Sequence, residues 1–76
     1  MYLVSKMHIG PVMYRVYLFG SGYKATYSVD NGAEREVPKA YGFRDGEGAE
    51  RAAKRFHLKT FIGLPWPRGK AGKWHL

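Results

Sequence analysis

The chain has 76 residues, with 13 Lys and Arg against 6 Asp and Glu, and no cysteine. A chain this short makes one domain of marginal stability, burying only about 60% of its unfolded surface; that excludes a separate cofactor lobe, and the lack of cysteine excludes disulfides and thiolate metal sites. The formal charge of +7 favours polyanionic partners through long-range attraction.

The N-terminal stretch YLVSKMHI supplies a candidate strand, which Gly10-Pro11 separates from the next segment. It has neither the basic start nor the long apolar centre of a secretory signal, and no apolar run approaches the roughly 18 residues of a membrane span. A cytoplasmic protein without membrane contact is the expectation.

Residues 14–29, YRVYLFGSGYKATYSV, read as a hairpin. Alternate strand residues face opposite sides, so Val12, Tyr14, Val16 and Leu18 form one apolar set and Tyr23, Ala25, Tyr27 and Val29 another. A two-residue turn at Ser21-Gly22 opposes Leu18 to Ala25, Val16 to Tyr27 and Tyr14 to Val29, giving one coherent core face. An odd loop scrambles both faces. The same register sets Phe19 against Lys24, Tyr17 against Thr26 and Arg15 against Ser28 on the other face. That strip is aromatic, basic and hydroxyl-bearing. It suits a DNA groove or a base-stacking platform, or else a second core face covered by the N-terminal segment or the tail.

Asn31-Gly32 within DNGA signals a second turn, with a strand after it over Glu34–Val37. Pro38 cannot donate to a ladder and makes that strand short or peripheral, with residues 40–43 able to resume it. In FRDGEGAERAAKRFHLK, Ala49, Ala52, Ala53 and Phe56 have the spacing of a helical apolar stripe. Asp45 is the candidate N-cap. About three helical turns should lie across the Val16, Leu18 and Tyr27 face, with Arg51, Lys54 and Arg55 outside and His57 facing solvent. "FIG" is a candidate short strand. The tail LPWPRGKAGKWHL is aperiodic, with Arg68, Lys70 and Lys73 interleaved between Trp66 and Trp74. It suits a phosphate backbone plus a stacking contact, or a fold-back in which one indole completes the core.

The charges are segregated. Residues 1–29 carry +3, residues 30–50 carry −3 and residues 51–76 carry +7. Catalytic chemistry finds no footing: the three histidines lie far apart, no Ser–His–acid grouping is evident, and GFRDGEG lacks the phosphate-loop pattern. The expectation is a non-enzymatic binder with no cofactor and no metal.

Strand–turn–strand–turn–strand–helix over residues 12–58, with a basic sheet face and an alanine-rich helix behind it, resembles the arm-type, AP2-like DNA-binding domains of phage integrases. That resemblance implies a sheet laid in the major groove, carried by Arg15, Tyr17, Lys24, Thr26 and Arg35. The acids Glu34 and Glu36 depart from it, since they face the same side as Lys24 and repel phosphate. The segment is also similar to the latter half of a double-stranded-RNA-binding domain, but Gly46, Glu47 and Gly48 stand where that family has lysines. Small phage-encoded inhibitors of host defence, anti-CRISPR proteins among them, are a second resemblance, which implies docking on a nucleic-acid-processing complex.

The expected architecture is therefore α+β, an antiparallel sheet of three to five strands with one helix packed across one face. Residues 1–63 form the compact domain and residues 64–76 a basic tail. The expected partner is nucleic acid, DNA before RNA, or a protein complex that handles it, bound by a monomer or homodimer. The candidate binding residues are Arg15, Tyr17, Phe19, Lys24, Thr26, Arg35, Arg51, Lys54, Arg55, Trp66, Arg68, Lys70, Lys73 and Trp74.

Overall fold

Three strands of equal length succeed one another because tight turns reverse the chain at near-regular intervals. A computed structural model describes residues 1–67 and 74–75. Its elements are β1 (Tyr2–Ile9), β2 (Val12–Phe19), β3 (Gly22–Val29), β4 (Arg35–Glu36) and α1 (Gly46–Thr60). The four strands form one antiparallel sheet in the order β1-β2-β3-β4, and α1 packs across it against β2 and β3. The α+β architecture expected from the pattern is the one observed, and the N-terminal segment is indeed a strand. Among the described residues no helix is long and apolar enough to cross a membrane.

The turns use residues that tolerate positive φ. Gly10 takes φ 56 in the first turn, ahead of Pro11, whose ring fixes its own φ at a negative value. In the second hairpin the turn lies at Gly20-Ser21, not Ser21-Gly22, with Gly20 at φ 62. A turn starting at Ser21 would force serine into the left-handed region, which glycine enters freely. The register is accordingly displaced by two residues: Val16 pairs with Ala25, Tyr14 with Tyr27, Leu18 with Tyr23 and Val12 with Val29. A shift of two preserves side-chain parity, so each face keeps its expected residues. Asp30 (φ 51) and Asn31 (φ 59) form the next turn, closed by Gly32 N–H donating to Val29 C=O at 2.8 Å. This is one residue earlier than Asn31-Gly32, because both Asp and Asn accept the left-handed conformation.

β4 is only two residues long, since Pro38 ends its ladder. The chain swings out at Pro38-Lys39 and returns: Val37 N–H donates to Ala25 C=O and Ala25 N–H donates to Ala40 C=O. Tyr23 and Phe43 then exchange backbone hydrogen bonds, so residues 40–43 do resume pairing with β3.

Asp45 caps α1, its side chain accepting from Gly48 N–H at 2.7 Å. The helix runs 15 residues, a turn longer than the apolar stripe predicts, and buries Gly48, Ala49, Ala52, Ala53 and His57. Gly48 is required by close approach: a Cβ there would lie 2.8 Å from the Phe43 ring. The core comprises Met7, Ile9, Val12, Tyr14, Val16, Ala25, Val37, Ala40 and the three helix alanines. Each fully buried side chain of Val or Met size contributes roughly 1.5–3 kcal/mol. A bulge between Leu3 and Ser5 resets the parity of β1. It turns Ser5 inward, where its Oγ donates to Glu50 at 3.0 Å.

Two expectations fail at the end of α1. "FIG" is no strand, because Phe61 caps the helix with its N–H on His57 C=O and packs its ring on the core. His57 does not face solvent; its exposure is 0%. Its Nδ1 lies 2.7 Å from Tyr14 Oη, and its Nε2 contacts the carbonyl of Leu64. A carbonyl only accepts, so Nε2 carries the proton and Nδ1 accepts from Tyr14. Burial, with Tyr27 adding to it, pushes the Tyr14 phenol well above its ordinary value, so the hydroxyl remains a donor. His57 thereby ties α1, the central strand and the residues after the helix to one point. Leu64, Trp66 and Trp74 all pack on the core, and Lys6 pairs by backbone with His75 beside β1. Both indoles fold back on the core, where the sequence suggests at least one.

Candidate nucleic-acid interface

Strand parity collects Lys6, His8, Met13, Arg15, Tyr17, Phe19, Lys24, Thr26 and Ser28 on the face of the sheet away from α1. Among the described residues no element lies across this face. β1 extends the sheet beside β2, while Phe61, Leu64, Trp66 and Trp74 pack with the core on the other side. The strip is therefore not a second core. The displaced register changes its pairs: Tyr17 faces Lys24, Arg15 faces Thr26 and Met13 faces Ser28. Arg15 still reaches Ser28, now diagonally, at 3.3 Å, and the Lys24 ammonium lies 5.1 Å from the centre of the Phe19 ring.

The acids transform this face. β4 pairs Glu36 with Thr26, which sends both Glu34 and Glu36 to the strip side. Glu34 accepts from Thr26 Oγ1 (2.7 Å) and Tyr17 Oη (3.2 Å) and pairs with Arg15 at 3.6 Å. Glu36 pairs with Lys24 at 3.2 Å. Burial first, and then Glu34, raises the Tyr17 phenol above its ordinary value. Arg15 and Lys24 thus spend their charge within the face. Arg35 sits on the opposite side of the sheet, in register with Tyr27, so the structure does not join it to the strip. At the hairpin tip, Phe19 (60% exposed) and Tyr41 (68% exposed) flank an open pocket floored by Gly22 and Gly42.

The outward side of α1 is different. Arg51, Lys54, Arg55 and Lys59 recur at helical spacing and all are exposed. Arg51 has one weak contact with Glu47, one turn back, at 3.8 Å. Lys54, Arg55 and Lys59 have no acidic partner within 4.0 Å among the described residues. A second open groove runs beside this stripe, lined by Glu47, Glu50, Arg51, Lys54, Trp66 and Trp74. The indole centroids are 6.3 Å apart. Trp66 is fixed from behind by Tyr14 (6.2 Å) and His57 (5.7 Å).

Candidate residues distant in sequence, Arg51 and Lys54 on α1 and Trp66 and Trp74 after it, therefore meet in space. Helical spacing alone marks Arg51 and Lys54, but nothing in the aperiodic tail signals that Trp66 and Trp74 lie beside them. Lys59 extends the stripe and is legible from the same spacing. Arg68, Lys70 and Lys73 lie outside the described residues. Among the described residues no three His, Asp or Glu side chains converge as metal ligands do. No family model, no curated protein and no solved structure matches the chain.

Proposed function

We propose that this chain is a small nucleic-acid-binding module that meets its polyanion with the outward side of α1. The observation that carries the reading is the contrast in pairing. The hairpin-face cations Arg15 and Lys24 are neutralised by Glu34 and Glu36, whereas Lys54, Arg55 and Lys59 are exposed and have no acidic partner among the described residues. A phosphate approaching the hairpin face must displace a carboxylate; one approaching the helix displaces only water and counterions. The sequence-pattern resemblance to integrase arm-type domains supports nucleic acid as the ligand class, but the carboxylates on the sheet favour the helix as the contact surface.

The test is fluorescence anisotropy with labelled DNA and RNA at two salt concentrations. Lys54→Glu with Arg55→Glu should weaken binding by about tenfold or more and lower the salt slope by roughly two phosphate contacts. Arg15→Gln with Lys24→Gln should change affinity by less than about threefold, because those charges are already paired. The reverse ranking would return the interface to the hairpin face.

A second reading has its own observation. The self-neutralised hairpin face, with the exposed rings of Phe19 and Tyr41 around an open pocket, has the aromatic anchors and mixed charge of a protein-docking surface. On that reading the chain is an inhibitor that docks on a nucleic-acid-processing complex, as the anti-CRISPR resemblance implies. Nucleic-acid binding that vanishes at physiological salt for every polymer would favour it.

A further inference from the structure

We infer that the groove between α1 and the segments bearing Trp66 and Trp74 is a base-stacking site, and that the nucleic acid bound is single-stranded. This rests on the reading that α1 carries the phosphate contacts. Trp66 and Trp74 remain only partly buried although an apolar core adjoins them. Their rings are 6.3 Å apart and inclined at 40°, so each covers only part of the other. Trp66 is backed by the Tyr14 and His57 rings. The backbone next to Trp74 is held by hydrogen bonds in both directions between Lys6 and His75. An indole held in place but open on one side loses little freedom when a base stacks on it.

The rim of the groove matches a nucleotide strand. Lys54 and Arg51 lie along its helical wall, placing cations beside an aromatic surface, as single-strand binders do. The two acids of the groove are partly offset: Glu47 contacts Arg51 at 3.8 Å, and Glu50 accepts from Ser5 at 3.0 Å. In a duplex the base faces are already stacked and cannot reach the indoles. An unpaired strand presents its base faces and backbone together.

The two tryptophans of the chain both line this groove, so intrinsic fluorescence reports it directly. Titration with a short oligothymidylate should quench tryptophan emission, and the single strand should bind more tightly than a duplex of equal length at the same salt. Trp74→Ala should weaken oligothymidylate binding about 5- to 100-fold while leaving heparin, which has no bases, within about twofold. Trp74→Phe should largely restore binding, which separates lost stacking from lost folding. Binding without quenching, with Trp74→Ala as tight as wild type, would overturn the stacking site and leave the helix reading intact. No binding of any nucleic acid at physiological salt would overturn both.

Discussion

The hairpin face and the helix face both carry cations, yet they offer a polyanion different things. On the hairpin face Arg15 is drawn into an ion pair with Glu34 and Lys24 into a hydrogen-bonded ion pair with Glu36, and the buried hydroxyls of Thr26 and Ser28 join the same network. On α1 the basic side chains Arg51, Lys54, Arg55 and Lys59 are exposed on the outward side of the helix. Charge counted along a sequence thus overstates the first surface and understates the second. What decides is whether the backbone delivers an acid to a base, and the short strand β4, with Glu34 just before it, does so for Arg15 and Lys24.

The indoles lie beside α1, where His57 and Tyr14 back the Trp66 ring. His57→Leu keeps the volume but strips the partners from Tyr14 Oη and the Leu64 carbonyl. The expected cost is about 2–4 kcal/mol, a large share of the stability of so small a domain. Denaturant unfolding should show a lower midpoint, and native tryptophan emission should shift to the red as Trp66 loses its backing. A variant with an unchanged midpoint and unchanged emission would mean that the packing of Phe61 and Leu64 holds the segment without the histidine.

How far these surfaces are legible in the sequence depends on the range of the forces involved. Side-chain parity is local, so the membership of each sheet face and the alanine stripe of α1 can be read directly. Loop length is not fixed by parity, and the hairpin register moves by two residues because Gly20, not Gly22, takes the left-handed conformation. The placing of Glu34 and Glu36 on the Lys24 side is readable, but that they pair with the cations, and do not merely repel phosphate, depends on the register of β4. His57 escapes a local reading because its partner Tyr14 is 43 residues away in sequence. A histidine near a helix end carries no local mark of burial. The groove at Trp66 and Trp74 is illegible for the same reason: its walls come from segments that no periodicity relates.

Removing the acids from the hairpin face should bring the two surfaces together. Glu34→Gln with Glu36→Gln keeps acceptors for Thr26 and Tyr17 but releases Arg15 and Lys24. Affinity for nucleic acid should rise by roughly 3- to 10-fold at low salt, with a steeper salt dependence. The gain should shrink when Arg15→Gln is added and disappear when Lys24→Gln joins it. A gain that survives both would not come from the released cations, and the contrast between paired and unpaired cations would then carry no weight.

The smallest effect belongs to Glu50, the acid on the helix side of the comparison. Burial raises its carboxyl above the ordinary value; the Ser5 hydrogen bond opposes this, Glu47 adds to it and Arg51 subtracts. A carboxyl whose value is raised on folding binds its proton more tightly in the folded state. Its ionised form therefore costs stability at neutral pH, and that cost fades as pH falls through the folded value toward the ordinary one. Glu50→Gln keeps an acceptor for Ser5 and removes the charge, so it should raise the Tm at neutral pH by an amount worth about 1 kcal/mol or less, given partial exposure. The wild type and the variant should converge in acid. In the groove the same substitution removes a negative charge beside Lys54, so single-strand affinity should rise by about two- to threefold at neutral pH. A Tm difference that does not shrink in acid would place the effect in packing, and the affinity change would then be the only measure of the charge.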